Sequence, residues 1–193
     1  MSQTMLLVLP LLASVASAVA AIPYQEYILA PASRTVRPVS IFRQDGPSTS
    51  PDALLAQNAG AGQSLVLGGF NSSVTYDFGK NIGGWVNFNV SSASGNVAFT
   101  FSESSLWVAS WACDSITQIG RDTPLVFNVS SLGHFAAPVN KDRGAFRYLT
   151  AVNLGNGSAT LDDLWIEYSP MPHWEDPQNY TGWFHSNDEK LNR

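Results

Sequence analysis

Alternation with a period of two residues dominates the chain beyond its first twenty residues, and it constrains the fold more than any other feature. Large apolar side chains occupy every second position in six segments, and the residues between them are polar or small. This is the pattern of half-buried strands, because successive side chains of a strand point to opposite faces of a sheet. The six segments are residues 74–78, 86–90, 97–101, 125–129, 146–148 and 164–168.

Short breaks rich in glycine, asparagine and aspartate separate these segments, at residues 79–81, 94–96, 120–122, 141–144 and 155–157. Short strands that follow one another through turns, without crossover helices, predict an all-β fold, namely an antiparallel, jelly-roll-like β-sandwich. One short helix is predicted at residues 51–57, with Ser50 as its N-cap and Gly60 just past its end.

The first twenty residues have a composition of their own. An apolar run over residues 6–12 is followed by Ala16, Ser17 and Ala18, which is the arrangement of a secretory signal peptide with its cleavage site. No later segment is apolar enough to cross a membrane. Five Asn-x-Ser/Thr sequons agree with export, and we expect a secreted, extracellular glycoprotein. The sequons are at Asn71, Asn89, Asn128, Asn156 and Asn179.

Charge and cysteine content exclude nucleic-acid binding and a disulfide-stabilised fold. The net charge is −5 and the ten basic residues are scattered singly, so no basic patch is available for nucleic acid. A single cysteine, Cys113, excludes a disulfide framework, and about 170 residues must therefore be held together by an apolar core. We expect Cys113 to be a buried small hydrophobe, the alternative being a thiol that bridges to a partner.

The amino-acid composition changes after residue 169. Prolines at 170, 172 and 177 prevent a regular hydrogen-bonded ladder, so residues 170–185 are interpreted as a linker or a wrapped strap. The strap is rich in aromatic side chains, which favour packing against a neighbouring domain over exposure to water. These interdomain residues are Trp174, Tyr180, Trp183 and Phe184.

Residues 186–193 have the pattern of a helix start. Ser186 as N-cap and Glu189 three residues later match a capping box, and a helix this short needs a following body to be stable. We therefore expect the chain to continue into a helical domain, the alternative being a frayed polar tail. The predicted organisation is a signal peptide (1–20), a β-sandwich (21–169), the strap (170–185) and the first turn of the next domain (186–193).

No catalytic constellation emerges from the residue spacings. The adjacent carboxylates Glu175 and Asp176 point opposite ways in an extended chain, and Glu103 has a structural task, such as accepting a bond from Arg147. The three histidines lack metal-ligand spacing, so we predict neither a metal nor a cofactor. Trp107 and Trp111 flank a loop where a sandwich could present aromatic platforms to sugar rings, as could Trp174, although core or interdomain packing is the competing explanation.

Several motifs together resemble a known family. They are residues 76–85 (YDFGKNIGGW), 99–104 (FTFSES), 143–149 (RGAFRYL), 171–176 (MPHWED), 180–184 (YTGWF) and the final eight residues. In combination they resemble α-L-rhamnosidases of glycoside hydrolase family 78, especially secreted fungal members.

The resemblance implies an N-terminal β-sandwich followed by an (α/α)6 barrel, in which two glutamates release terminal L-rhamnose with inversion. No residue of this sequence inherits a catalytic role, because the catalytic and sugar-binding residues of the family lie beyond the first barrel helix. The leading hypothesis is a non-catalytic accessory sandwich, inactive alone, whose partners are a catalytic domain in cis and rhamnose-containing glycans. The alternative is a standalone secreted carbohydrate-binding module.

Overall fold

The computed structural model of the protein describes residues 28–114, 122–129, 131–179 and 184–192. The predicted signal peptide, residues 1–20, lies outside this part of the chain. The described residues from Ala30 to Asn179 belong to one compact unit, and residues 184–192 belong to another. None of the described residues lies in a helix that is long and apolar enough to span a bilayer.

The first unit is built from antiparallel strands, and the prediction of an all-β fold is confirmed. Within the described residues the strands are β1 (Thr35–Val36), β2 (Ser40–Asp45), β3 (Ser48–Thr49), β4 (Leu65–Gly68), β5 (Ser73–Ala93), β6 (Val97–Ser102), β7 (Leu125–Phe127), β8 (Gly133–Ala136), β9 (Arg143–Asn153) and β10 (Ser158–Tyr168). Short 3₁₀ helices cover Pro51–Leu54, Ala56–Asn58, Ser105–Trp107 and Val139–Lys141.

The two strands predicted at residues 74–78 and 86–90 belong to a single strand, β5. β5 runs for 21 residues through the break expected at 79–81, so the turn prediction there is wrong. The pairing register shifts between Asp77 and Ile82 and again before Gly84, and the strand bends at this irregularity without ending. Its first part pairs with β2 and β9, whereas its second part pairs with β8 and β10. β5 therefore contributes to both layers of the sandwich.

The predicted helix at 51–57 forms as two consecutive 3₁₀ helices. Ser50 has the left-handed φ of 49°, and its side chain makes no capping hydrogen bond. The Tyr76 hydroxyl anchors the first of these helices by donating a hydrogen bond to the carbonyl of Pro51 at 2.8 Å. Burial raises the pKa of Tyr76 far above its usual value, with a smaller contribution from Asp52, so this hydroxyl stays a donor.

Aromatic rings from both layers fill the core. Phe88 on β5 lies 4.9 Å from the ring of Phe99 on β6, 4.8 Å from Phe127 on β7 and 5.3 Å from Phe135 on β8. Each fully buried phenylalanine contributes on the order of 1.5 to 3 kcal/mol relative to exposure. The aromatic residues that alternate in the sequence thus pack between the two layers of the sandwich.

Cys113 is buried, as predicted, with 1% of its surface exposed. Its backbone N–H donates to the carbonyl of Asp122 at 2.8 Å, and its thiol donates to the carbonyl of Thr123 at 3.5 Å. Burial raises the pKa of the Cys113 thiol, which keeps it protonated and unreactive at neutral pH. The residue packs as part of the core.

Candidate functional site

Two of the motifs that carry the family resemblance meet in space. Asp77, from the motif at 76–85, and Arg147, from the motif at 143–149, form two hydrogen bonds, Nε to Oδ1 at 2.8 Å and Nη2 to Oδ2 at 2.9 Å. The backbone N–H of Gly79 also donates to Asp77 Oδ1, at 2.6 Å. Arg147 holds the pKa of Asp77 below its usual range. The expected bond between Arg147 and Glu103 is replaced by this pair.

The same motifs bring two glycine-rich backbones into contact. A Cβ added to Gly83 would lie 3.2 Å from the Cα of Gly144, and a Cβ on Gly84 would lie 2.0 Å from the carbonyl oxygen of Glu167. The φ of Gly84 is +156°, which also favours glycine. The glycines at 83 and 84 thus permit a close approach of β5, β9 and β10.

A cleft of about 270 Å³ opens where these three strands converge. The residues that line it include Asn81, Ile82, Asp142, Gly144, Tyr168 and Ser169. Ser169 directly precedes the strap, and its backbone N–H donates to the carbonyl of Gly83 at 3.2 Å. The cleft therefore lies beside the point where the chain leaves the sandwich. Sequence reasoning missed it, because its walls come from three segments that are separated by many residues.

The predicted aromatic platforms Trp107 and Trp111 lie on one loop, between β6 and the bridge formed by Cys113 and Asp122. Trp107 is 56% exposed and Trp111 is 66% exposed. The expectation of core packing for these two side chains is therefore not met within the sandwich.

Asp114 holds the two ends of this loop together. Its carboxylate accepts hydrogen bonds from the Ser102 hydroxyl at 2.5 Å and from the Glu103 backbone N–H at 3.1 Å. The Thr100 hydroxyl donates to the carbonyl of Ala109 at 2.6 Å and fixes the middle of the loop. Hydrogen bonds thus hold this loop at its two ends and in its middle, and nothing in the sequence spacing indicated the role of Asp114.

Trp174 lies in a different segment, the strap, and is half-buried. The guanidinium of Arg34 holds this segment by donating to the carbonyl oxygens of Tyr168 at 2.8 Å, Met171 at 2.6 Å and Trp174 at 3.1 Å from Nε. A second nitrogen of Arg34 also contacts the Trp174 carbonyl. Further along, Gln178 Nε2 donates to the carbonyl of Ala30 at 2.9 Å. The strap over residues 170–179 is therefore wrapped onto the sandwich.

Of the other interdomain candidates, Tyr180 and Trp183 lie outside the described residues. In the second unit Phe184 is 74% exposed and Leu191 is 62% exposed. Here the Ser186 hydroxyl accepts from the backbone N–H of Asp188 at 3.1 Å, and the Leu191 N–H donates to the Asp188 carbonyl at 3.0 Å. Residues 189–191 form a turn, and the start of a helical domain at 186–193 stays a prediction.

Four of the five sequon asparagines are exposed, namely Asn71, Asn128, Asn156 and Asn179, and Asn89 is half-buried on β5. Asn71 has a left-handed φ of 62° at a turn. All five positions therefore have at least part of their surface open to solvent, and their glycosylation stays a prediction.

Other acidic side chains and one histidine make structural contacts. Asp163 pairs with Arg37 through Nη2 and Oδ2 at 3.1 Å, and Asp162 accepts from Ser64 and Ser91. The His134 ring stacks on Trp165 at 5.3 Å. Among the described residues, no three histidine, cysteine or acidic side chains are grouped so that they could hold a metal ion.

No protein-family model matches the chain, and no curated protein matches it in sequence. Several solved structures are similar to the chain at low identity. A truncated AlyQ with CBM32 and alginate lyase domains is 9% identical, with a TM-score of 0.48, and the match covers 68% of this chain and 32% of that one. The CBM32 of AlyQ in complex with 4,5-unsaturated mannuronic acid is 12% identical, with a TM-score of 0.45, and 96% of it is covered.

A rhamnosidase from Klebsiella oxytoca with rhamnose bound is also similar, at 15% identity and a TM-score of 0.42. The match covers 69% of this chain and 28% of that one. This chain thus spans about a third or less of the truncated AlyQ and rhamnosidase chains.

Proposed function

We propose that this protein is a secreted, non-catalytic accessory β-sandwich of a carbohydrate-active enzyme, and that the parent enzyme is of the α-L-rhamnosidase type. The observation that carries the proposal is the bonding of the strap by Arg34. One guanidinium holds the carbonyl oxygens of Tyr168, Met171 and Trp174, so the chain leaves the sandwich in a fixed direction. A held exit favours a supporting role over a free tether.

The rhamnosidase assignment is supported by the motifs at 76–85 and 143–149. In the structure their residues form the Asp77–Arg147 pair and the convergence of the glycine-rich backbones. We propose that a helical catalytic domain follows the strap and that the aromatic side chains beyond Trp174 pack against it.

Hydrolysis of an aryl α-L-rhamnoside by the purified 193-residue chain tests the non-catalytic role. We expect no release of the aryl group above the rate of the buffer blank. Turnover that is lost in Glu175→Gln or Glu103→Gln would contradict the proposal, since it would place a general acid or base within the sandwich or its strap. A parallel preparation of Asp45→Asn controls for contaminating glycosidase.

A standalone carbohydrate-binding module is the second candidate, and the exposed pair of Trp107 and Trp111 favours it. Two indole rings on a loop held by Asp114 have the rigidity that stacking on sugar rings requires. Titration of the chain with rhamnose-bearing oligosaccharides, followed by tryptophan fluorescence, distinguishes the candidates. Saturable quenching that disappears in the double variant Trp107→Ala/Trp111→Ala would favour the module.

A further inference from the structure

The Asn89 sequon lies at the centre of the sheet layer that β8, β5 and β10 form. Asn89 is paired across the strands with His134 on β8 and with Asp163 on β10. Its neighbours on β5, Phe88 and Val90, are buried in the core. Because successive side chains of a strand point to opposite faces, the Asn89 side chain projects from the outer face of this layer.

The two asparagines on this outer face differ in their bonding. Asn87 is 8% exposed, its Nδ2 donates to the carbonyl of Trp85 at 3.0 Å, and its Oδ1 lies 3.1 Å from Nε2 of His134. Asn89 is half-buried, and within the described part of the chain its side chain makes no hydrogen bond. The amide nitrogen of Asn89 is therefore open to modification, whereas that of Asn87 is used by the fold.

An ordered aromatic surface adjoins Asn89 on the same face. The His134 imidazole stacks on the Trp165 indole, with ring centroids 5.3 Å apart and an angle of 7° between the planes. The guanidinium of Arg37 lies 5.5 Å from the centre of that indole, and it also pairs with Asp163 at 3.1 Å. Trp165 is diagonally opposite Asn89, at a separation of roughly 7 to 8 Å. These side chains restrain one another, so little ordering is needed when the surface is covered.

The sequence at this position selects what covers the surface. Asn89 and Ser91 belong to an Asn-x-Ser sequon, the acceptor for an N-glycan. The innermost N-acetylglucosamine of an N-glycan is bonded directly to the asparagine nitrogen, which brings that ring beside the aromatic surface. Its C–H groups and acetamide methyl are apolar and fit against an aromatic face, while its hydroxyl groups stay in water.

We propose that Asn89 carries an N-glycan and that its innermost N-acetylglucosamine packs against Trp165 and His134. The glycan then covers the outer face of the layer formed by β8, β5 and β10. A neighbouring catalytic domain must contact the sandwich elsewhere, because a bulky, hydrated glycan excludes a flat protein interface. The inference rests on the secretion that the proposed function includes. It differs from the second candidate function, since the sugar is a covalent modification of the chain and not a ligand.

Occupancy is measured on the full chain secreted from a eukaryotic host. Peptide N-glycosidase converts a glycosylated asparagine to aspartate, and mass spectrometry of tryptic peptides detects the change. Cleavage after Lys80 and Arg121 gives a peptide in which Asn89 is the only sequon asparagine, and we expect it to be modified. An unmodified Asn89 beside other modified sequons would overturn this inference alone. An absence of glycan at every sequon would contradict export, and with it the proposed function.

Packing is measured by the rate at which the glycosidase releases the glycan from the folded protein. The packed sugar must first leave the aromatic surface, so Trp165→Ala is expected to accelerate release at Asn89 by about fivefold or more. His134→Ala should accelerate it by roughly twofold or more, because the indole remains. In both variants the rates at the other occupied sequons are expected to equal those of the wild type.

Trp107→Ala is the matched control, because it removes an indole from the loop after β6, and it should leave the rate at Asn89 unchanged. If Trp165→Ala fails to fold, His134→Ala decides the result, since that ring is exposed and its loss costs little burial. Equal release rates at Asn89 for the wild type and the two variants would overturn the packing. So would an acceleration by Trp107→Ala as large as that by Trp165→Ala.

Discussion

The guanidinium of Arg147 and the carboxylate of Asp77 are joined by two parallel hydrogen bonds of 2.8 and 2.9 Å, across a separation of 70 residues in the chain. The Asp77 carboxylate is 13% exposed, and the Arg147 side chain is 42% exposed. The pair links β5 to β9 at the point where β5 begins to bend from one layer to the other.

This pair predicts a defined pH dependence of stability. Because Arg147 lowers the pKa of Asp77, the carboxylate is protonated at a lower pH in the folded chain than in the unfolded chain, whose value is near 3.8. The contribution of the pair is therefore complete above the unfolded pKa and is lost as the pH falls through the folded pKa. We expect Asp77→Asn to be less stable than the wild type at pH 7, and the difference to shrink below about pH 4.

Urea unfolding of both proteins at stepped pH measures the effect. Asp45→Asn is the control, since the Arg43–Asp45 pair is exposed by 43% and 50% on its two sides and should contribute little. A stability difference for Asp77→Asn that stays constant down to about pH 2.5 would contradict the linkage.

Asn153 is predicted to be a strong determinant of stability. The side chain is fully buried, and its Nδ2 donates to the carbonyls of Gly69 at 3.0 Å and Gly157 at 2.7 Å, while its Oδ1 accepts from the Gly155 N–H at 2.9 Å. Asn153→Ala leaves several buried backbone groups unpaired, so we expect a loss of roughly 2 to 4 kcal/mol in chemical unfolding. The exposed Asn140→Ala should change stability by less than about 0.5 kcal/mol, and equal losses in both variants would refute the assignment.

Arg34→Lys is predicted to loosen the strap while the sandwich stays folded. A lysine ammonium cannot reach the separate carbonyls that the planar guanidinium holds. We expect chymotrypsin to cut after Trp174 roughly fivefold faster, with little change in the melting temperature, because only local opening is affected. Arg43→Lys serves as the control. The same cleavage rate for wild type and Arg34→Lys would show that the strap is held by other contacts.

Gly84→Ala and Gly144→Ala form a matched pair on neighbouring strands. An alanine Cβ at 84 would overlap the Glu167 carbonyl in a backbone conformation that favours glycine, whereas one at 144 would have no atom within 4 Å. We expect a loss of about 3 kcal/mol or more for Gly84→Ala, and a change under about 1 kcal/mol for Gly144→Ala. Thermal unfolding measures both, and a reversed order would contradict the position of the cleft.

The strands themselves were predictable because side-chain alternation is local. Phe88, Phe99 and Phe127 could be assigned to buried faces from spacing alone, and the burial of Cys113 could be predicted from its residue type. The continuity of β5 through Gly79 to Gly84 was not predictable. Glycine-rich sequence is the same at a turn as at a bend within a strand, and partners on β9 and β10 select between them.

The candidate functional site was likewise predictable only in part. The exposed Trp107 and Trp111 could be singled out as candidates by residue type, but their support by Asp114 depends on a loop closure that the spacing does not reveal. The role of Arg34 could not be predicted from the sequence. Its acceptors are backbone carbonyls more than 130 residues away, and every residue type has such a carbonyl.

Residue order therefore fixed the class of fold, since the period of hydrophobic burial is a property of consecutive side chains. Tertiary packing alone decided three further features. They are the pairing of Asp77 with Arg147, the bonding of the strap by Arg34 and the cleft at Asp142. Each of them joins segments that are distant in the chain, and contacts of that kind are set by which strands lie side by side.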